Sequence, residues 1–486
     1  PPPDEQIIEE QRPANIVLVS IDGLRSDRIG LGSAAQKTTP NLDVLAQTGA
    51  SFVFSFSQAN ASLLSHASML TGLYASEIHR PSYLEYIVPD QTLTLSEVLD
   101  ALGYDTGGFV GGGTMSGTLG FQQGFDVYLQ SKDHFGGLKE TSTMAIDWLD
   151  ALEANENPFF VFLHGYDCQQ PFLPSGSFEH TSSTVVPPLD GLLHTPQFTA
   201  RVYDGVMYPG FEPESAAHTV GLTVSLPSNV VQLGTYASDK TNQADATRMG
   251  ESDLQHVMEH YDSSVLAADT HIGEFLDALT QRGLLDNTLI VITSGHGAEL
   301  LEHGAYDHRS NLYDTSTRVP LILAGGALPE ALRGRAVDNI AQTIDITPTI
   351  LDMAGTVAPA GSRGRSLLAL DQDDQGEEVQ VVFQEGVLGQ IAARTRNWRL
   401  VFAGADLTSP SFNEALRNMP IDGGQFQLFD LQNDPNETLD VLHSHKQVAT
   451  ALRERMLAWR EALMTGTTRM DIDPKLREEL RQRGYW

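Results

Sequence analysis

An α/β fold is what this sequence predicts: a large mixed, mostly parallel sheet sandwiched by helices, then a smaller C-terminal antiparallel sheet plus helix. Three observations predict it. Runs such as Asn15–Ile21 and Pro158–His164 are apolar and β-branched or aromatic without polar alternation, so both faces of those strands must be covered. Segments with helical spacing stand between such runs, and strands alternating with helices imply a parallel sheet. After about residue 370 the texture changes to short strands in close succession.

Asn15–Ile21 opens the sheet and ends at the Asp22-Gly23 turn. Asn41–Gly49 reads as a helix closed by its glycine, and Ser65–Leu73 as a second. Leu93–Leu102 is a third, stopped by Gly103, before a short strand at Thr106–Val110. Glu140–Leu152 is helical and Pro158–His164 is another buried strand. Residues 171–250 break the rhythm with Pro, Gly, Ser and Thr, and form an insertion or lid. Within it Val220, Leu222, Val224 and Leu226 alternate at period two, as an added strand or hairpin does. Glu251–Gly283 is a long amphipathic helix, Asn287–Thr293 and Arg318–Ala324 are strands, and Asp345–Gly355 is a helix. Glu378–Gln384, Gly389–Thr395, Trp398–Ala403 and Gln425–Asp430 form the antiparallel sheet, closed by a helix at Val448–Leu463. The chain therefore divides into a polar tail at 1–13, an α/β domain at 14–369 and a C-terminal α+β subdomain at 370–486.

A net charge of −33 argues against nucleic acid or an anionic membrane surface as partner, since both select basic faces. The one cysteine, Cys168, allows no intrachain disulfide and reads as a small buried residue. No apolar run reaches the 18 or so residues that a membrane span needs. The first residues carry no apolar signal core and read as a polar tail.

Ligands of open α/β sheets gather at the carboxyl ends of the strands. Asp22, the Ser62 loop, Asp167 and His296 all follow predicted strands or begin helices. From the residues alone, Ser62 is either a nucleophile or a helix N-cap. His308 and His303 are loop histidines, and Glu299, Glu302 and Asp307 read as solvated loop acids.

N-I-V-L-V-S-I-D-G-L-R-S-D, S-H-A-S-M-L-T-G, G-L-L-D-N-T-L-I-V-I-T-S-G-H-G and F-Q-L-F-D-L-Q-N-D-P-N-E-T occur in an order that resembles the sulfatase family of the alkaline-phosphatase superfamily. The resemblance spans nearly the whole chain and implies an alkaline-phosphatase-like fold. It implies a divalent metal (calcium, manganese or zinc) held by Asp22, Ser62 and His296, and Ser62 as nucleophile. It makes His66, Asp167, Gln169 and His308 the other catalytic candidates, with His308 protonating the leaving group. Leu64 and His66 stand where formylglycine-forming members carry Pro and Arg, so no formylglycine is expected. Gly23 and Gly295 stand at carboxylate positions of the family's metal site, and Gln169 stands where the family has a histidine. Two of these losses, at 295 and 169, favour a pseudoenzyme that retains the fold for binding or assembly, with 171–250 as the partner or self-assembly surface and the metal absent. The alternative is an active metal-dependent sulfuric-ester or phosphodiester hydrolase or transferase, acting on an anionic ester through unmodified Ser62. Family habit implies export to the periplasm, cell surface or medium.

Overall fold

In the computed structural model the described residues are 13–30, 38–78, 88–133, 135–152, 157–169, 251–300, 302–303, 305–368, 380–387, 389–403 and 412–465, with five short strands between 200 and 248. The chain order begins β1 (Asn15–Ile21), α1 (Pro40–Thr48), β2 (Ala50–Phe56), α2 (Ser62–Thr71), α3 (Leu95–Ala101), β3 (Asp105–Val110), β4 (Val127–Gln130), α4 (Leu138–Ala151) and β5 (Phe159–Gly165). The short strands β6 (Ala200–Tyr203), β7 (Val206–Pro209), β8 (Val224–Ser225), β9 (Val231–Gln232) and β10 (Thr247–Arg248) follow. Then come α5 (Glu251–Gln281), β11 (Thr288–Thr293), β12 (Glu299–Leu300), β13 (Ala305–Asp307), α6 (Asp314–Thr317), β14 (Leu321–Ala324), β15 (Arg335–Gln342) and α7 (Ile346–Met353). The C-terminal part holds β16 (Val382–Glu385), β17 (Ile391–Arg394), β18 (Trp398–Phe402), α8 (Phe412–Asn418), β19 (Phe426–Asp430) and α9 (Lys446–Thr465).

Eight strands form the main sheet in the order β15-β2-β14-β11-β1-β5-β3-β4. All pairings are parallel except those of β14 with β11 and β2. The mixed, mostly parallel sheet expected from the sequence is thus observed. Alternation along β1 explains why its sequence is apolar throughout. Ile16 and Leu18 enter one core with Leu64, Ala67 and Ile350 from α2 and α7, and Val17, Val19 and Ile21 enter the other with Leu42, Ala145 and Ile272 from α1, α4 and α5. The edge strands β4 and β15 escaped the sequence reading because they are partly exposed and mix polar with apolar residues. A shift of register between Val337 and Ile340 breaks the β15 pattern further.

The anticipated antiparallel sheet is also observed, as β16-β17-β18-β19. Its apolar face, with Ile391, Leu400 and Phe426, packs on Leu452, Met456 and Trp459 of α9. Val224–Ser225 pairs with Val231–Gln232, so part of the expected hairpin exists. Residues 220 and 222, most of the 171–250 insertion and the polar tail lie outside the described residues.

Asp269 on α5 ties together two helices that cover the same face of the main sheet. Its carboxylate accepts from the backbone N–H groups of Asn41 at 3.0 Å and Leu42 at 2.8 Å, at the α1 N-terminus, which Thr39 leaves without a side-chain cap. Asp269→Ala should cost about 2 kcal/mol, as the loss of a charged cap does. The shift of the urea midpoint measures it.

Candidate active site

Strand register assembles the site. Ser20 on β1 is aligned with Thr293 of β11 on one side and with His164 of β5 on the other. Two residues further on, Asp22 leaves β1, and its N–H is held by Gly165 O at 2.9 Å. Three residues past Thr293, β11 delivers His296. The three central strands thus end around one point, and α2 supplies Ser62 and His66 from above it.

Ser62 is the first residue of α2, and the N-cap is Ala61 without a side-chain cap bond. This excludes the capping role that the sequence left open, and the hydroxyl faces the site instead. Ser62 Oγ lies 3.3 Å from His296 Nε2. His296 Nδ1–H donates to Gly297 O at 2.7 Å, which leaves the Nε2 lone pair directed at Ser62 and, 3.4 Å away, at Asp22 Oδ1. His308 stacks flat on His296, with centroids 4.3 Å apart and planes 10° apart. Burial and the neighbouring His296 push the His308 imidazole well below its ordinary value.

Gln169 is the hub of the arrangement. Its amide nitrogen donates toward Asp22 Oδ2 at 2.9 Å, His296 Nε2 at 3.0 Å and Ser62 Oγ at 3.1 Å. Two hydrogens serve three acceptors, so one of these bonds is always shared. The Gln169 loop reaches this position because residue 23 is glycine: a Cβ there would stand 2.3 Å from Cys168 O, at a φ of +84°.

On the other side of Asp22 lie two buried imidazoles. His66 Nδ1–H donates to Ser62 O at 2.7 Å, and its Nε2 accepts from Ser20 Oγ at 2.8 Å. Burial lowers the His66 pKa to about 4, so the ring is neutral at physiological pH. His164 Nε2 stands 3.6 Å from Asp22 Oδ2 and has no hydrogen-bond partner, and neither has Asp22 Oδ1. All three residues are fully buried. Burial alone would raise the Asp22 pKa, but the imidazoles of His296, His164 and His66 hold it well below the carboxylate range. Asp22, His66 and His164 offer ligand atoms that lie within 4.8 Å of one another.

The expected residues are thus largely brought together, and three placements differ from the reading of the sequence. Asp167 does not join the cluster: its carboxylate accepts from Leu138 N at 2.8 Å and serves the start of α4. His66, expected among the catalytic groups, turns its inner nitrogen to the same side as His164. His164 itself was missed, because an imidazole ending the run P-F-F-V-F-L-H reads as the last residue of a core strand. The signal was present in the pattern, since Phe160, Phe162 and His164 share one face of β5 and only the last is polar. Among the acids, Glu299 is fully buried rather than solvated, paired with His303 Nδ1 at 2.9 Å, and Glu302 pairs with Arg25. Cys168 is buried, as expected.

The Sulfatase family model matches residues 14–356. Among curated proteins, the chain is similar to an arylsulfatase of Clostridium perfringens, 24% identical over 513 residues that cover 93% of this chain and 96% of that protein. It is also similar to arylsulfatase K of Bos taurus, 24% identical over 326 residues, which are 64% of this chain and about half (53%) of the relative. A protein solved in complex with its substrate D-glucosamine-2-N,6-O-disulfate superposes with a TM-score of 0.66 at 20% identity, over 98% of this chain and 99% of that one. The phosphonate monoester hydrolase of Agrobacterium radiobacter superposes with a TM-score of 0.62 at 20% identity, over 93% and 96% of the two chains. No helix among the described residues is long and apolar enough to cross a membrane.

Proposed function

Because the chain belongs to the sulfatase family, we propose that it is a hydrolase or transferase of anionic esters, sulfuric or phosphodiester, with unmodified Ser62 as nucleophile. The observation that carries this reading is the 3.3 Å approach of Ser62 Oγ to a His296 nitrogen whose lone pair is fixed inward by the bond to Gly297 O. A nucleophilic hydroxyl needs such a base. Ser62 also stands at the N-terminus of the ten-residue α2, whose dipole favours a bound anion.

Attack by Ser62 Oγ on the ester sulfur or phosphorus forms the seryl ester and passes the hydroxyl proton to His296 Nε2. The bond to the leaving oxygen breaks, and the alcohol takes the proton that His296 accepted, while His308, kept neutral by burial, stays stacked on that ring. Water then cleaves the seryl ester and restores Ser62. Gln169 orients the hydroxyl, and Asp22 in turn holds the Gln169 amide. The orphaned Asp22 Oδ1 and His164 Nε2 fit a bound cation, and Asp22, His66 and His164 would hold it. A divalent metal there would neutralise the Asp22 carboxylate and so lower the negative charge that an anionic ester meets beside Ser62.

One observation favours the second reading, a pseudoenzyme. The Gln169 amide lies against Asp22, Ser62 and His296 at once, so an ester that reached the Ser62 hydroxyl would have to displace it. Incubation with a panel of sulfate esters and phosphodiesters separates the two. The hydrolase reading expects product release and a trapped mass increment on the Ser62 peptide. No product and no increment with any ester, for metal-replete protein, would overturn it. Export belongs to the same proposal, and fractionation of the producing cells tests it.

A further inference from the structure

Gly23 and Gly295, the two positions at which the family resemblance places carboxylates, are not empty space. At Gly23 the Cys168 carbonyl fills the volume, with Gln169 Cγ 3.1 Å from where a Cβ would stand. At Gly295 a Cβ would stand 2.5 Å from His66 Cε1 and 2.7 Å from both Asp22 Oδ1 and Ser65 Oγ. The ring of His66 therefore occupies the room that a carboxylate at 295 would take. A carboxylate at 295 and an imidazole at 66 cannot both fit, so the donor available beside Asp22 is a nitrogen from α2.

We propose that the site takes a divalent metal of the zinc class through Asp22, His66 and His164, and that it does not select calcium. The inference rests on the metal dependence proposed above. Calcium is held by six to eight oxygens, whereas this cluster has one carboxylate and two imidazoles. Neutral imidazole with a single carboxylate suits zinc and its neighbours.

The surroundings support this choice. His66 spends its Nδ1–H on Ser62 O, the outer bond that fixes a ligating imidazole with its Nε2 lone pair inward. Ser20 Oγ donates to that lone pair, and a cation would take its place. His164 Nδ1 accepts only a long contact, 3.4 Å, from Gly111 N, a weak bond that the ligating tautomer would give up. The 3.6 Å between His164 Nε2 and Asp22 Oδ2 is too long for a good hydrogen bond. It is close to the separation of about 3.3–3.5 Å between two donors that share a tetrahedral zinc at about 2.0–2.2 Å.

The test uses the full chain, stripped with chelator and titrated with cobalt(II), zinc(II) and calcium(II). Cobalt is expected to bind once, with intense visible bands, and zinc to displace it. Calcium in roughly thousandfold excess is expected neither to displace cobalt nor to raise the melting temperature. His66→Ala and, separately, His164→Ala should lose the bands, with circular dichroism confirming that each variant is folded. Gly295→Asp should lose them as well, because its Cβ meets His66 and Asp22. Displacement of cobalt by calcium, bands that survive both histidine variants, or no metal bound at all would each overturn the inference. Zinc bound without turnover would sink the hydrolase reading alone, whereas calcium bound with turnover would sink this one alone.

Discussion

Ser62→Ala is expected to lower kcat/KM on a responsive ester by roughly 10⁴-fold, the scale on which a nucleophile and its base fail together. The same change should alter stability by no more than about 1 kcal/mol. The hydroxyl makes no capping bond, its approach to His296 is a long 3.3 Å, and Gln169 keeps Asp22 and His296 as acceptors without it. The pairing of a large kinetic effect with a small stability effect distinguishes a nucleophile from a structural serine. A turnover within tenfold of the parent would remove Ser62 from the mechanism, and a collapse of the urea midpoint would make it structural.

Asp314→Ala should have the largest effect on stability, a loss of about 4 kcal/mol. Asp314 accepts a bidentate pair from Arg394, at 3.1 and 3.0 Å, and a further bond from Arg399. Both guanidinium groups are buried, and Arg399 is also 3.2 Å from Glu437. Removal of Asp314 strands buried positive charge between the two sheets. The effect extends to the site, because α6 lies against the His296 loop: Gly297 N–H bonds Ser316 O at 2.8 Å and Ala298 N–H bonds Thr315 O at 2.9 Å. Burial alone would raise the Asp314 pKa, but Arg394 and Arg399 outweigh it and hold the group well below the carboxylate range. A carboxylate lowered in the folded state contributes stability above its unfolded value of about 3.9 and loses it as pH falls toward the folded value. The stability difference between parent and Asp314→Ala should therefore be full at neutral pH and shrink below about pH 4, which urea titrations at several pH values would measure. A constant difference would show that the ion pairs are not its source.

Much of this architecture could be read from the chain because parallel strands buried on both faces have no polar residues to disguise them. β1, β5 and β11 were recognised for that reason, and Asp22 and His296 were placed by the ends of those strands. The edge strands were not, since a strand with one neighbour tolerates sequences like R-A-V-D-N-I-A-Q. The site was harder in a different way. Gly295 looked like a simple deletion, and only the packing of His66 against it shows that the two residues share one volume. His164 was hidden because register, not sequence distance, sets it beside Ser20. Asp167 misled for the converse reason: a carboxylate next to the site in sequence was already committed to α4.

Cys168 offers a last consequence. Its thiol is fully buried, and burial with the nearby Asp167 and Asp22 pushes its pKa far above the ordinary thiol value. Only the thiolate alkylates, so iodoacetamide should react with the native molecule only slowly, through states in which the loop has opened. Its carbonyl closes over Gly23 and its neighbour Gln169 bridges the catalytic groups. The loop cannot lift without releasing all of these. The slow alkylation of this one sulfur is therefore a chemical clock, and its rate counts how often the floor of the pocket opens.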